Sequence, residues 1–260
     1  MARSNNFSAA QVRQYERDGI AYPLSVMSLD EAQRFRSAFE ELEVYLDRKL
    51  EYVALTHLYF RWAFELATWP KILNLVEQIL GPEVLIQGSL ILCKHANDPS
   101  FVAWHQDVNY SSQPSSPTVN AWIALSDSTR TSGCMRVIPG SHKEGVLPHS
   151  EAPVENNILR SSAAADDARA LDIELRAGEM SLHQADLVHG SLPNQSDDKR
   201  IGFIVRFVTP QFQNSMNPVV RARGAKACQN LTLWPGPPGG DLDYNLGAWR
   251  EYVTKRNLFR

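Results

Sequence analysis

The stretch EVLIQGSLILCK, residues 83–94, marks the point where the sequence changes from helical spacing to strand patterns. It is short, largely apolar and preceded by Gly81 and Pro82, which are strand signals. Repeated short strands separated by turn residues predict a mainly β fold, an antiparallel sandwich or jelly roll. The later stretches with these features are TVNAWIAL (118–125), CMRVI (134–138), LDIEL (171–175), EMSLHQ (179–184) and RIGFIVRFV (200–208).

The residues before this stretch follow helical patterns. One helix is predicted between an N-cap at Ser8 and a terminating Gly19, and a second begins at a capping box of Ser28 and Glu31. Loops are predicted at 110–117, 141–169 and 229–243, and a closing helix at about 245–257. We predict a single domain, residues 1–260, with a helical layer over about 1–80, a β core over about 83–210 and a C-terminal extension over about 211–260.

The composition limits the classes of partner. A chain of 260 residues with 43% hydrophobic content suffices for one sizeable core. A net charge of −3 gives no reason to expect nucleic acid or an anionic membrane surface. The three cysteines are widely spaced, and no apolar run reaches the roughly 20 residues of a membrane span. We expect a soluble, cytoplasmic protein that acts on a small molecule.

The stretch AWHQDVNY, residues 103–110, contains a His-x-Asp pair, His105 and Asp107. Residues two apart on a strand project to the same face, so an imidazole nitrogen and a carboxylate oxygen can take adjacent positions on one metal. By itself such a pair is more often a surface or hydrogen-bonded pair. A metal site requires a third ligand from elsewhere in the chain.

His189 supplies a candidate for that ligand. It precedes a turn that returns the chain to a strand beginning at Arg200, which is predicted to be a neighbouring strand with Arg200 near the level of His189. Two histidines and one carboxylate on one face of an octahedral iron are the ligand set of non-haem Fe(II) oxygenases. The three open positions suit a bidentate 2-oxo acid and O2, and Arg200 is placed to bind the distal carboxylate of that acid.

The chain resembles the phytanoyl-CoA dioxygenase family of Fe(II)/2-oxoglutarate-dependent oxygenases. The resemblance covers about residues 84–209, and the N-terminal helices fit it more loosely. It implies a cupin-like jelly roll, the double-stranded β-helix, flanked by N-terminal helices, with Fe(II), 2-oxoglutarate and O2 as cofactors. The stretches that carry it are WHQDVNY, VNAWIALSDSTRTSGCMRVIPGSHKEGVLPH and HGSLPNQSDDKR.

The resemblance also implies roles for particular residues. His105, Asp107 and His189 match the catalytic iron ligands. In halogenating relatives a small residue replaces the aspartate and leaves room for chloride, so Asp107 favours oxygenation. The residues that match the 2-oxoglutarate pocket are Arg200 for the C5 carboxylate, Ser191 for an assisting hydroxyl, Trp122 for an aromatic wall, and Gln87 and Leu90 as weaker candidates.

Three residues are candidates for contact with the substrate. Trp104 and Tyr110 flank the His-x-Asp pair and could form an aromatic lining. Arg206 lies six residues beyond Arg200, so both can face inward. Arg206 would then bind a substrate carboxylate or phosphate, or form a structural ion pair with Asp127 or Asp186.

We therefore expect a dioxygenase that hydroxylates, or otherwise oxidises, an unactivated C–H bond of a small metabolite in natural-product biosynthesis, with release of succinate and CO2. The alternative is a cupin-like metal-binding protein or isomerase that does not turn over 2-oxoglutarate. No adenine-nucleotide or coenzyme A motif is evident, so the sequence leaves the substrate itself open.

Overall fold

A computed structural model describes residues 6–107, 117–151, 154–159, 162–212, 218–228, 231–236 and 242–255. The helices are α1 (Ala9–Asp18), α2 (Leu29–Leu46), α3 (Thr56–Tyr59), α4 (Arg61–Ala67), α5 (Pro70–Leu80) and α6 (Leu242–Lys255). The strands are β1 (Ile20–Ser25), β2 (Tyr52–Ala54), β3 (Val84–Lys94), β4 (Val102–His105), β5 (Thr118–Ala124), β6 (Met135–Val137), β7 (His149–Ser150), β8 (Ser162–Ala163), β9 (Leu171–Ile173), β10 (Glu179–Gln184), β11 (His189–Ser191), β12 (Arg200–Val208), β13 (Val219–Arg223) and β14 (Leu233–Trp234). None of the described helices combines the length and the hydropathy needed to cross a membrane.

The first two helices begin at the predicted caps. The Ser28 hydroxyl accepts a hydrogen bond from the Glu31 amide at 3.2 Å, and the Glu31 carboxylate accepts one from the Ser28 amide at 2.7 Å. Ser8 and Gln11 form the same reciprocal arrangement at the start of α1, so backbone N–H groups that lack helical partners are satisfied. Gly19 ends α1 with φ 81°, a left-handed conformation that glycine adopts without a Cβ clash.

Two facing sheets form the body of the protein. Among the described residues the large sheet has eight strands in the order β1-β10-β5-β12-β3-β13-β14, with β2 also paired to β3. The small sheet has the order β4-β11-β6-β9, and β7 pairs with β8 separately. The predicted double-stranded β-helix with N-terminal helices is confirmed, although the sheets described do not close into a continuous barrel.

The strand β12 shows how the large sheet separates two environments. Ile201, Phe203 and Val205 are fully buried in the apolar core that the sheet shares with the helices. Arg200 and Arg206 project from the other face into a cavity. Because successive side chains of a strand alternate between faces, one strand contributes both to the core and to the cavity.

Strands of the large sheet also lie in the two layers predicted outside the β core. The helical layer over about 1–80 also contains β1, which pairs with β10 at the edge of the large sheet, and β2, which pairs with β3. Pro23 interrupts the strand pattern of β1, but an edge strand tolerates a proline because one side needs no amide donor. Beyond residue 210, β13 pairs with β3, so the sheet continues into the predicted C-terminal extension.

The closing helix is confirmed as α6, which begins slightly earlier than predicted. The predicted loop 141–169 contains short elements, namely β7, β8 and single 3-10 turns at Ser141–Lys143 and Asp167–Arg169. Most of the predicted loop 110–117 and part of 229–243 lie outside the described residues.

Gly202 allows the Trp122 indole to lie against β12, and this predicts a stability effect. A Cβ at Gly202 would overlap the indole ring. A Cβ at Gly88, on the neighbouring strand β3, would have its nearest neighbour at 4.0 Å. Gly202→Ala should lower the free energy of unfolding by about 1–3 kcal/mol through overpacking. Gly88→Ala should change it by less than about 0.5 kcal/mol. Equilibrium urea denaturation measures both, and equal effects would contradict this packing.

Candidate metal centre and its cavity

A cavity of about 610 Å³ lies between the two sheets. Strands β3, β5, β10 and β12 of the large sheet form one wall, and β4, β6 and β11 of the small sheet form the other. The lining includes every residue predicted as an iron ligand or as part of the 2-oxoglutarate pocket, namely His105, Asp107, His189, Arg200, Ser191, Trp122, Gln87 and Leu90.

His105 and His189 face each other because their strands pair in register. β11 runs antiparallel to β4 and sets His189 opposite His105, with the two ring centroids 4.0 Å apart. Asp107 lies two residues after the end of β4, and its carboxylate oxygens lie 3.8 Å from the Nε2 of His105 and 3.9 Å from the Nε2 of His189. One ligand atom from each of the three residues lies within 4.8 Å of the other two.

Backbone carbonyls orient both imidazoles. The Nδ1 of His105 donates to the Ala103 carbonyl at 2.9 Å, and the Nδ1 of His189 donates to the Leu187 carbonyl at 3.0 Å. These bonds place the proton on Nδ1 and direct the Nε2 lone pairs toward Asp107. Burial, reinforced by His189, lowers the pKa of His105 to about 3, so this imidazole is in the neutral form that binds metals.

Asp107 is held by Asn120 and Arg206. The Asn120 amide donates to one carboxylate oxygen at 2.6 Å, and the Arg206 guanidinium lies 3.3 Å from the other. Burial alone would raise the pKa of Asp107, but Arg206 and the two histidines together keep it well below its usual range. An ionised carboxylate beside two imidazoles is a donor set that fits a divalent transition metal such as iron.

The opposite end of the cavity is cationic. Arg200 is 1% exposed, donates from Nη2 to the Ser191 hydroxyl at 3.4 Å and lies 5.4 Å from the Trp122 ring centroid. Its Nε has no hydrogen-bond partner among the described residues. Burial lowers the pKa of Arg200 to about 10, so the guanidinium remains charged at neutral pH. Arg200 lies on the large sheet, across the cavity from His189, whereas the sequence suggested a strand beside it.

The candidate substrate residues lie in three different places. Arg206 lines the cavity, but its acidic partner is Asp107, so the predicted pairing with Asp127 or Asp186 was wrong. Trp104 is not among the residues that line the cavity: it alternates with His105 along β4, and the Arg136 guanidinium lies 5.4 Å from its ring. Tyr110 lies outside the described residues.

Three residues were not among the predicted site residues: Asn120 and His183 line the cavity, and Lys94 lies beside it. Asn120 and His183 lie opposite each other on β5 and β10, and Lys94 lies opposite Arg200 on β3. His183 is 1% exposed, its ring centroid is 5.1 Å from that of His189, and neither ring nitrogen has a hydrogen-bond partner among the described residues. The register between distant strands brings these residues to the site. The available sequence signals were the position of His183 six residues before His189 and that of Lys94 just before the loop that leads into the His-x-Asp pair.

Comparison with known proteins identifies the family. The model of the phytanoyl-CoA dioxygenase (PhyH) family matches residues 15–202. The peroxisomal phytanoyl-CoA dioxygenase of Bos taurus is 28% identical over 228 residues, which cover 76% of this chain and 68% of that protein. The chain therefore belongs to the phytanoyl-CoA dioxygenase family, and the match includes the N-terminal helices that the motifs covered only loosely.

Solved structures agree with this assignment. The non-heme monooxygenase ThoJ superposes with a TM-score of 0.80 at 26% identity, covering 94% of this chain and 95% of that one. EvdO2 from Micromonospora carbonacea var. aurantiaca, solved with 2-oxoglutarate, shares the fold with a TM-score of 0.65 at 20% identity, covering 78% and 91%. The protein is an Fe(II)/2-oxoglutarate-dependent dioxygenase that uses O2, which argues against the alternative without 2-oxoglutarate turnover.

The unpartnered His183 predicts an unusual mutational result. A buried polar side chain without partners lowers stability, so His183→Leu should preserve the free energy of unfolding or raise it by up to about 2 kcal/mol. His57 is the matched control, since it is equally buried but bonds the Ser89 hydroxyl through Nδ1 at 2.7 Å. His57→Leu should cost about 1–3 kcal/mol in urea denaturation. Equal destabilisation by both variants would contradict the assignment of His183 as a side chain available to a ligand.

Proposed function

We propose that this protein oxidises an unactivated C–H bond of a small molecule, with hydroxylation as the outcome, while 2-oxoglutarate is converted to succinate and CO2. The proposal rests on how metal-binding and cationic groups are separated within one cavity. A convergent set of two imidazoles and a carboxylate lies at one end, and a buried arginine without an acidic partner among the described residues lies at the other. That arrangement matches a dicarboxylic 2-oxo acid that spans from a metal to a cation.

His105, Asp107 and His189 would hold the iron. When bound, iron and 2-oxoglutarate supply the oxidant by coupling O2 reduction to decarboxylation of the oxo acid. The protein presents the two Nε2 atoms through the Nδ1 bonds described above, and Asn120 and Arg206 keep the carboxylate ionised and aligned. Asp107 occupies the position that is vacant in halogenating relatives, which supports oxygenation.

Arg200 would bind the distal carboxylate of 2-oxoglutarate, with Ser191 beside it. A guanidinium binds a carboxylate through two parallel N–H donors, and its burial excludes competing water. Trp122 packs over Gly202 and forms an apolar wall next to Arg200. Gln87 and Leu90 on β3 line the same cavity and complete the proposed cofactor pocket.

The remaining lining suits a substrate with an apolar body. Leu55, Val102, Met135, Ile158 and Ile204 contribute aliphatic side chains to the cavity. Such surfaces bind ligands through apolar burial, while a few polar groups fix their orientation. His183 is the polar group without a partner among the described residues, and it lies beside the proposed metal ligand His189. A role in natural-product biosynthesis stays a prediction from the sequence.

The proposed ligand set predicts a spectroscopic signature. Anaerobic addition of Fe(II) and 2-oxoglutarate should give a visible charge-transfer band because the oxo acid chelates the metal. His189→Ala should abolish the band, and Arg200→Met should weaken the affinity for 2-oxoglutarate by about 10- to 100-fold. His142→Ala is the control, since His142 is not among the residues that line the cavity. A folded, iron-loaded wild type without a band would refute the proposed function.

A further inference from the structure

Lys94 is a buried lysine that the family resemblance does not assign to the site. It is not among the residues that line the cavity, but it bonds Ser191, which is one of them. It ends β3, it is 0% exposed, and it is directly opposite Arg200 in the pairing of β3 with β12. Its Nζ donates to the Ser191 hydroxyl at 2.7 Å and to the Leu192 carbonyl. Lys94 and Arg200 therefore reach the same hydroxyl oxygen from two neighbouring strands.

Arg200 is a buried charge, and Lys94 becomes a second one whenever it is protonated. In the part of the chain that the structure describes, neither Lys94 nor Arg200 forms an ion pair with a carboxylate. Asp98 is the acidic group nearby, and its two oxygens accept hydrogen bonds from the backbone of His95 and Ser100. Burying a charge without a partner is unfavourable, so this end of the cavity favours an anionic ligand.

The uncommitted donors match one carboxylate. An ammonium group has three N–H donors, and Ser191 and Leu192 account for two of those on Lys94. Arg200 has an Nε that is buried and unpartnered among the described residues. One remaining donor from each cation suits the two oxygens of a single carboxylate.

We propose that Lys94 is a second cationic contact for the distal carboxylate of 2-oxoglutarate, acting with Arg200 and Ser191. The proposal rests on the function proposed above and adds a residue to its cofactor pocket. The opposing explanation is structural, with Lys94 serving only to hold the end of β11 through Ser191 and Leu192. The two explanations differ in whether the effect of Lys94 depends on the distal carboxylate of the ligand.

The protonation of Lys94 gives the proposal a second consequence. Burial is the larger cause and the nearby Arg200 the second; together they lower the pKa of Lys94 to about 6, although Asp98 and Cys134 oppose the shift. Without an anion, Lys94 is therefore mostly neutral above pH 7. A carboxylate beside it raises its pKa, so binding 2-oxoglutarate should take up a proton and should weaken as the pH rises above the pKa of the free protein.

The first experiment compares two oxo acids. Affinities for 2-oxoglutarate and for 2-oxopentanoate, which has the same chain length but no distal carboxylate, are measured anaerobically on the Fe(II) protein from the charge-transfer band. Lys94→Met should weaken 2-oxoglutarate binding by about 10- to 100-fold and leave 2-oxopentanoate binding unchanged. Lys199→Met is the matched control: it makes the same substitution one residue from Arg200, but the Nζ of Lys199 pairs with Glu43 at 2.6 Å rather than with Ser191. This control should affect neither acid.

Equal weakening of both acids by Lys94→Met would overturn the proposal in favour of the structural role, and unchanged affinity for both would overturn it outright.

The second experiment uses the wild type and so does not depend on whether a variant folds. Calorimetry at pH 7.5 in buffers of different ionisation enthalpy should show uptake of about one proton with 2-oxoglutarate and none with 2-oxopentanoate. Equal proton uptake for both acids would also overturn it. A wild type that forms a band with neither acid would overturn the proposed function itself, whereas failure of Lys94 alone leaves that function intact.

Discussion

The antiparallel pairing of β11 with β4 is the constraint on which the site depends. It sets His189 opposite His105 and brings Ser191 toward the cationic end of the cavity. Side chains alternate along a strand, so a slip of one residue would turn the β11 side chains to the other face. The pairing of β11 with β6 on its other edge holds the same register from the opposite side.

The large sheet provides a rigid support for the other half of the site. β12 and β3 pair along nearly their whole length, and the helices cover the outer face with a continuous apolar core. The polar residues of the cavity project from the inner face of this sheet. The strongly apolar outer face stabilises a domain that tolerates several buried polar groups without internal partners.

Those groups concentrate where ligands are expected. Arg200 and His183 are both nearly inaccessible, and each retains nitrogen donors or acceptors that the described residues do not use. Burial of such groups lowers stability in the empty protein, and a bound anion or hydrogen-bonding ligand would recover it. Such a cavity suits a negatively charged ligand group at one end. The other end can take ligand groups of mixed polarity.

The sequence predicted most of the large sheet because strand signals are local: the stretches 179–184 and 200–208 match β10 and β12 residue for residue. The proposed ligand set required more than the His-x-Asp pair, namely its combination with His189, Arg200 and the family resemblance. The edge strand β1 was missed because Pro23 breaks its pattern. The acidic partner of Arg206, the placement of Trp104 against Arg136, and the convergence of Lys94 with Arg200 all depend on pairing between strands far apart in sequence, which no local pattern encodes.

The central claim is that one cavity holds a metal at His105, Asp107 and His189 and a dicarboxylic oxo acid that extends to Arg200. A crystal structure of the protein with Mn(II) and N-oxalylglycine, an unreactive analogue of 2-oxoglutarate, tests this claim most directly. We expect the metal to be bound by both Nε2 atoms and the Asp107 carboxylate, with the distal carboxylate of the analogue against Arg200. A metal bound elsewhere, or an analogue whose distal carboxylate points away from Arg200, would contradict it.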